Sequence, residues 1–380
     1  MSALVRPPTE ISSDAELADL RTAVRDFLTV KSPEESVRSL LGATPRFDAS
    51  VWEQLCTQLR LPALAVPEEY GGDGFGLVEL ATALEEAGRF LLCAPLLSTT
   101  LATQTLLLTR DEEACARYVP SLAQGRITAT VAVTEETGSW RPGALTTRAT
   151  ASGPSGTWLL DGSKYFVVDG TTADLLLVPA RTAAGLSLFA VERASLGVTT
   201  VSMPAVDETR DLAAVTLEAA PGRLVGADGD GGRLLADVLD VAGTLVAAEQ
   251  AGGARRCLDT ACAYAQVRYQ FGRAIGGFQA VKHKCADMLV RAELAEAAAR
   301  EAARLHDHAD PAFGAGAAAA HSVASRGYLF CATESIQVHG GIGFTWEHPA
   351  HLYFRRAKSS QLLLGGPAEY GERLLARLGL

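Results

Sequence analysis

Three segments with apolar residues at helical spacing, 233–264, 278–305 and 315–338, fill most of the last part of this chain. Residues three and four apart fall on one face of a helix, so each segment has an apolar stripe to bury. The second is rich in alanine, and the first carries Gly243, Gly252 and Gly253. A glycine inside a helix costs about 1 kcal/mol relative to alanine. Three in one helix point to neighbouring backbones that approach closely. The pattern predicts a four-helix bundle.

Upstream, the period changes. Residues 128–220 contain short runs rich in Val, Thr, Leu and aromatics, at 128–133, 157–161, 165–168, 175–178, 186–191 and 213–217, separated by Gly, Asp and Pro. Asp161-Gly162 and Asp169-Gly170 have hairpin-turn chemistry. A small, mostly antiparallel β-domain is expected, in barrel form or open. Before it, residues 14–28, 51–61, 77–90, 94–108 and 112–122 return to helical spacing, and residues 67–74 form a turn-rich loop. The chain is therefore expected to be α+β, mainly α: an N-terminal helical domain at 1–127, a central β-domain at 128–225 and a C-terminal bundle at 226–380.

With a net charge of −10, the chain is a poor binder of polyanions, which speaks against nucleic acid. No apolar run reaches the ~20 residues that span a bilayer. Residues 1–11 hold two prolines and no apolar core, so no signal peptide is expected and a cytoplasmic protein is. The seven cysteines are scattered without a CxxC pair, as reduced buried thiols would be, and no metal site is expected.

Two motifs carry the chemistry. In the first, Arg268-Tyr-Gln-Phe-Gly-Arg-Ala-Ile-Gly-Gly-Phe-Gln279, glycines interrupt one helix and another follows. Arg268 then stands at a helix C-terminus and Gln279 at a helix N-terminus. A guanidinium and free helix N–H groups both suit a pyrophosphate. In the second, Gln337-Val-His-Gly-Gly-Ile-Gly343, glycines let a ligand approach the backbone and can form an anion nest. His339 reads as a packing or hydrogen-bonding residue rather than a catalyst.

Together the motifs resemble the flavin-binding signature of the acyl-CoA dehydrogenase family, and the resemblance runs from about residue 67 to residue 356. It implies FAD, the helix–sheet–helix order and a homodimer, tetramer or hetero-oligomer with a related chain. It also implies an acyl-CoA or acyl-carrier-protein thioester as substrate and an electron-acceptor flavoprotein as partner. By the same resemblance Arg268, Phe271, Gln279, Gln337, Gly340 and Gly341 contact the FAD of a neighbouring subunit. Val131-Ala-Val-Thr-Glu-Glu-Thr-Gly-Ser-Trp140 resembles the family segment whose threonine and serine touch the flavin ring and a phosphate, here Thr134 and Ser139. Residues 161–170 resemble the strand beside the ring, where Phe166 and Val168 stand in place of the usual aromatic and threonine. Val168 offers only its backbone N–H.

The family reaction removes an α-proton with a glutamate while a β-hydride goes to the flavin. Both usual places for that glutamate lack it: one aligns with Leu364, the other with Ala242. The nearby Asp240 and Glu249 are misplaced around or along their helix, Glu369 lies five residues past Leu364 beyond a Gly-Gly-Pro break, and the catalytic base is unknown. Three readings follow: a dehydrogenase of lipid metabolism with an unconventional base, a non-catalytic partner subunit sharing an FAD site, or a flavin-dependent oxygenase on the same fold.

Overall fold

The computed structural model describes residues 11–153 and 156–380, so the reading of residues 1–11 falls, save Ile11, outside the described residues. Helices α1 (Asp14–Lys31), α2 (Glu34–Leu40), α3 (Ala49–Thr57), α4 (Leu77–Arg89), α5 (Leu96–Thr109) and α6 (Glu112–Ala123) come first. Strands β1 (Ala129–Val131), β2 (Arg148–Ser152), β3 (Thr157–Val168), β4 (Leu175–Arg181), β5 (Leu186–Glu192), β6 (Val198–Ser202) and β7 (Leu212–Val225) follow. Then come α7 (Gly231–Val267), a hairpin of β8 (Tyr269–Gln270) and β9 (Arg273–Ala274), α8 (Gln279–Asp307), α9 (Phe313–His339), α10 (Ala350–Leu362) and α11 (Pro367–Arg377). The mainly helical α+β class expected from the sequence is the one observed. The chain forms two compact units: Gly42–Gly76 with Cys93–Ala242, and Ser12–Leu41 with Leu77–Leu92 and Gly243–Leu380.

In the first unit, β4, β2, β3, β7 and β5 are paired in that order, and β5 pairs back onto β4, closing a ring. β1 joins β4 in parallel and β6 joins β7. Leu160, Leu176, Phe189, Val191 and Val215 fill its core. Two sequence expectations fail here. Residues 157–161 and 165–168 are one strand, β3, because Gly162 makes a bulge rather than a hairpin turn. Its φ is +149°, and a Cβ there would lie 2.7 Å from Thr147 Oγ1. The Asp169-Gly170 turn joins no hairpin either, since β3 pairs with β2 and β7 rather than with β4. In the same unit, α5 is buried along its length. Thr100, Thr103 and Thr105 donate their hydroxyls to carbonyls one turn back, which lets a threonine-rich helix lie in a core.

The second unit is helical. α1 opens on a capping box between Ser13 and Glu16. α4 is capped from a distance: Asp307, at the end of α8, accepts from the backbone N–H of Leu77 and Val78, both at 2.9 Å. The close approach expected of the α7 glycines is present. A Cβ on Gly252 would lie 1.7 Å from the Glu85 carbonyl oxygen, and one on Gly88 would lie 1.9 Å from that of Glu249. So α4 and α7 cross backbone against backbone. Gly253 and Gly243 make room instead for the rings of Tyr328 and Tyr370.

Candidate functional site

The first unit brings its candidate residues together. The Thr134 hydroxyl donates to the Tyr165 carbonyl, and the Tyr165 N–H returns a bond of 2.8 Å to the Thr134 carbonyl. This ties the segment after β1 to β3. Phe166 is 43% exposed with φ +57°, and its ring edge lies 3.7 Å from where a Gly138 Cβ would be. Ser139, beside Gly138, accepts from the Arg141 N–H at 3.2 Å. Val168 pairs with Leu212 at the end of β3.

Beneath them lies a buried ion pair. Lys164 is fully buried and reaches Glu135 at 3.0 Å and the Val133 carbonyl at 3.2 Å. Glu135 also accepts from the N–H and hydroxyl of both Thr146 and Thr147. Burial pushes the Glu135 carboxyl up, but these bonds and the Lys164 ammonium outweigh it and hold the carboxyl at about 2. Burial dominates for Lys164 and lowers it to about 8 against the pull of Glu135.

In the second unit, α7 ends at Val267 and α8 begins at Gln279, as the first motif requires. Arg268 and Gln279 are exposed, and Phe271 is 92% exposed at the tip of the β8–β9 hairpin with φ +51°. Arg268 takes part in no ion pair among the described residues. α9 ends at His339, and Gly340 follows with φ +65°. Nothing lies within 4 Å of a Cβ placed on Gly340 or Gly341, so this corner is open. Gln337 is exposed on the last turn of α9. The helix that leads into the first motif touches the second: the rings of Tyr264, in the last turn of α7, and His339 are 4.6 Å apart. His339 is buried and bonded to the Ser335 carbonyl at 2.6 Å, a packing role. An unneutralised guanidinium, an open glycine corner and an exposed phenylalanine are each groups that suit an anionic dinucleotide.

At the places where the family glutamate is usual, Leu364 is buried with φ +66° in the turn after α10, and Ala242 is fully buried in α7. The neighbouring carboxylates are engaged. Glu249 pairs with buried Arg356 at 2.8 Å, and Glu369 accepts from the Gly366 N–H at 3.1 Å, capping α11. Asp240 is buried and partnered. Sequence reasoning passed over His321, a lone histidine in an alanine-rich helix. It is fully buried and stacked on Tyr370 at 3.7 Å. Burial lowers it to about 3, against the pull of the Leu363 carbonyl, so at neutral pH the ring is neutral and only weakly basic. Among the described residues no cluster suits a metal, and no helix is long and apolar enough to cross a membrane.

The acyl-CoA dehydrogenase N-terminal, middle and C-terminal domain models match residues 14–126, 130–218 and 229–380. The chain thus belongs to the acyl-CoA dehydrogenase family of flavoprotein oxidoreductases. It is 35% identical to Acyl-CoA dehydrogenase IpdE2 of Mycolicibacterium smegmatis over 368 residues, 97% of this chain and 100% of that protein. A solved variant of the Tcur3481–Tcur3483 steroid ACAD is similar at TM-score 0.87 and 31% identity, covering 96% of this chain and 98% of that one. The ChsE4–ChsE5 complex from Mycobacterium tuberculosis is similar at TM-score 0.88 and 28% identity, covering 98% and 99%.

Proposed function

We propose that this chain is the base-lacking subunit of a hetero-oligomeric acyl-CoA dehydrogenase, sharing FAD with a glutamate-bearing relative in the α,β-dehydrogenation of an acyl thioester. The observation that carries this reading is Leu364, a buried aliphatic side chain where the base would stand. General-base catalysis is worth about 10²–10⁴-fold. Ala242 carries no basic group, Glu249 and Glu369 are engaged by Arg356 and the Gly366 N–H, and His321 is enclosed against Tyr370, so none of them stands in for it. The α-proton therefore goes to the relative. Two of the similar solved structures, Tcur3481–Tcur3483 and ChsE4–ChsE5, bear the names of two gene products each, which agrees with a paired assembly.

Bound FAD supplies the hydride acceptor. Arg268, the N–H groups of Gly340 and Gly341, and the start of α8 at Gln279 would hold the diphosphate of the neighbouring subunit's FAD, while Phe271 and Gln337 flank it. Thr134, Phe166 and Val168 would line the ring end and Ser139 would reach a phosphate, while exposed Phe166 can stack and exclude water. In this reading the segments 1–127, 128–225 and 226–380 each keep the family's domain role. The thioester carrier is CoA or an acyl carrier protein, and electrons leave to an acceptor flavoprotein.

The test is purification alone and with the glutamate-bearing relative. Alone, the chain is expected to turn over no acyl-CoA. The complex is expected to be yellow and active, and to lose flavin when Arg268→Ala is placed in this chain. Bleaching of a flavin-loaded chain by an acyl-CoA without any relative would make it a self-sufficient dehydrogenase instead. Reductase-dependent oxygen uptake would make it an oxygenase.

A further inference from the structure

The helical unit holds a cavity of about 330 Å³ between α1, the start of α2, the end of α4, α7 and the start of α10. None of its lining residues belongs to a flavin motif. Three arginines line it: Arg25, Arg89 and Arg256. Two of them are neutralised. Arg25 makes two bonds to Glu86, at 2.9 and 2.6 Å, and Arg89 meets Asp259 at 2.6 Å. The carboxylate on the wall, Glu34, is held by Arg38 at 2.7 Å. Arg256 is different. It forms no ion pair among the described residues, and its polar neighbour is the Tyr353 hydroxyl, which itself donates to the Arg89 carbonyl at 2.8 Å.

One positive charge is thus left on the wall of a partly enclosed space. A half-buried guanidinium with a hydroxyl neighbour but no counter-charge loses hydration without gaining an ion pair in return. An anion in the cavity would restore the balance. A carboxylate matches the planar fork of arginine, whereas a phosphate dianion would call for a second free cation, and the other two arginines are already committed. Pro33, Val37, Phe90, Leu91 and Leu352 give the wall an apolar side that suits a compact hydrocarbon body, with Thr29 and Ser32 as its neutral polar residues. The volume is at the small end for ligand pockets, which run from about 300 Å³.

We propose that this cavity binds a small organic carboxylate with an apolar body, its carboxylate seated on Arg256. The site stands independently of the flavin reading, because its test reads binding rather than turnover. Benzoate, octanoate, acetate and inorganic phosphate are titrated into the purified full chain, or into its complex with the relative, by calorimetry and by thermal denaturation. Benzoate or octanoate is expected to bind saturably, with acetate and phosphate at least roughly tenfold weaker, as one charge-assisted bond without its apolar partner would be. Arg256→Gln is expected to weaken the carboxylate by at least about tenfold. Thr29→Trp, on the exposed face of α1 at the cavity wall, is expected to block it without touching the charge. Absence of saturable binding would overturn the proposal, and so would equal binding in both variants or phosphate binding as well as benzoate.

Discussion

Lys164 is a fully buried cation whose burial is balanced by a single carboxylate. Removing one partner of such a pair leaves the other charged and stranded, which is worth about 3–5 kcal/mol. Glu135→Gln is therefore expected to destabilise the sheet-containing unit by that order, and Lys164→Met to do so less, since Glu135 keeps its threonine donors. The double variant should lose less than the sum of the two, and a urea double-mutant cycle measures the difference. Additive losses would mean that the pair does not interact. Both residues stand inside motifs that the sequence marks as flavin-like, yet neither was singled out. Their partnership spans 29 positions, and no local pattern announces a bond between a loop residue and a strand. Leu364 was legible for the opposite reason: an aliphatic residue in a place where a glutamate is usual is visible in one dimension.

At the scale of elements, the α4–α7 crossing is where sequence and structure agree most closely. Gly252 looked like a concession to a neighbouring backbone, and the neighbour is the Glu85 carbonyl. Gly252→Ala would force these backbones apart, and overpacking of this kind costs about 1–3 kcal/mol or more. Gly371→Ala is the control: it lies within α11 with nothing inside 4 Å of a new Cβ, and is expected to stabilise by about 0.5–1 kcal/mol. Chemical denaturation of the two variants should move in opposite directions, and a neutral Gly252→Ala would remove the packing account. The helices were legible because their period persists over many residues. The strands were less so. Gly162 inside β3 looked like a turn because a bulge glycine and a turn glycine are the same letter. Pro221 and Gly222 similarly hid the second half of β7, which runs to Val225.

Across the whole molecule, what could be read beforehand was contiguous: the Arg268 hairpin and the glycine corner are each one short stretch of chain. The Arg256 cavity and the His321–Tyr370 stack are assembled from separate helices and left no such trace. His321, His339 and His351, which are buried, and His348, which is half-buried, are expected to set the response to acid. Burial lowers His321 to about 3 and His348 to about 4, and lowers His339 and His351 as well. In the unfolded chain a histidine titrates near 6.5. Between each folded value and about 6.5 the unfolded chain therefore binds more protons, so stability rises with pH there and falls as pH drops. The contribution is fully present above about pH 6.5 and is lost progressively toward pH 4 and below. Each histidine that must charge on unfolding adds about 1.4 kcal/mol per pH unit to the slope. Glu135, held at about 2, acts in the same direction over a lower window, between about 4.5 and 2. The melting temperature is expected to be flat just above neutrality and to fall between about pH 6.5 and pH 4 with uptake of more than one proton. His321→Phe keeps a ring against Tyr370 and removes a titrating group, so it should flatten the acid limb. If the slope corresponds to less than one proton, or if His321→Phe leaves it unchanged, burial of neutral imidazoles is not what governs the acid stability of this bundle.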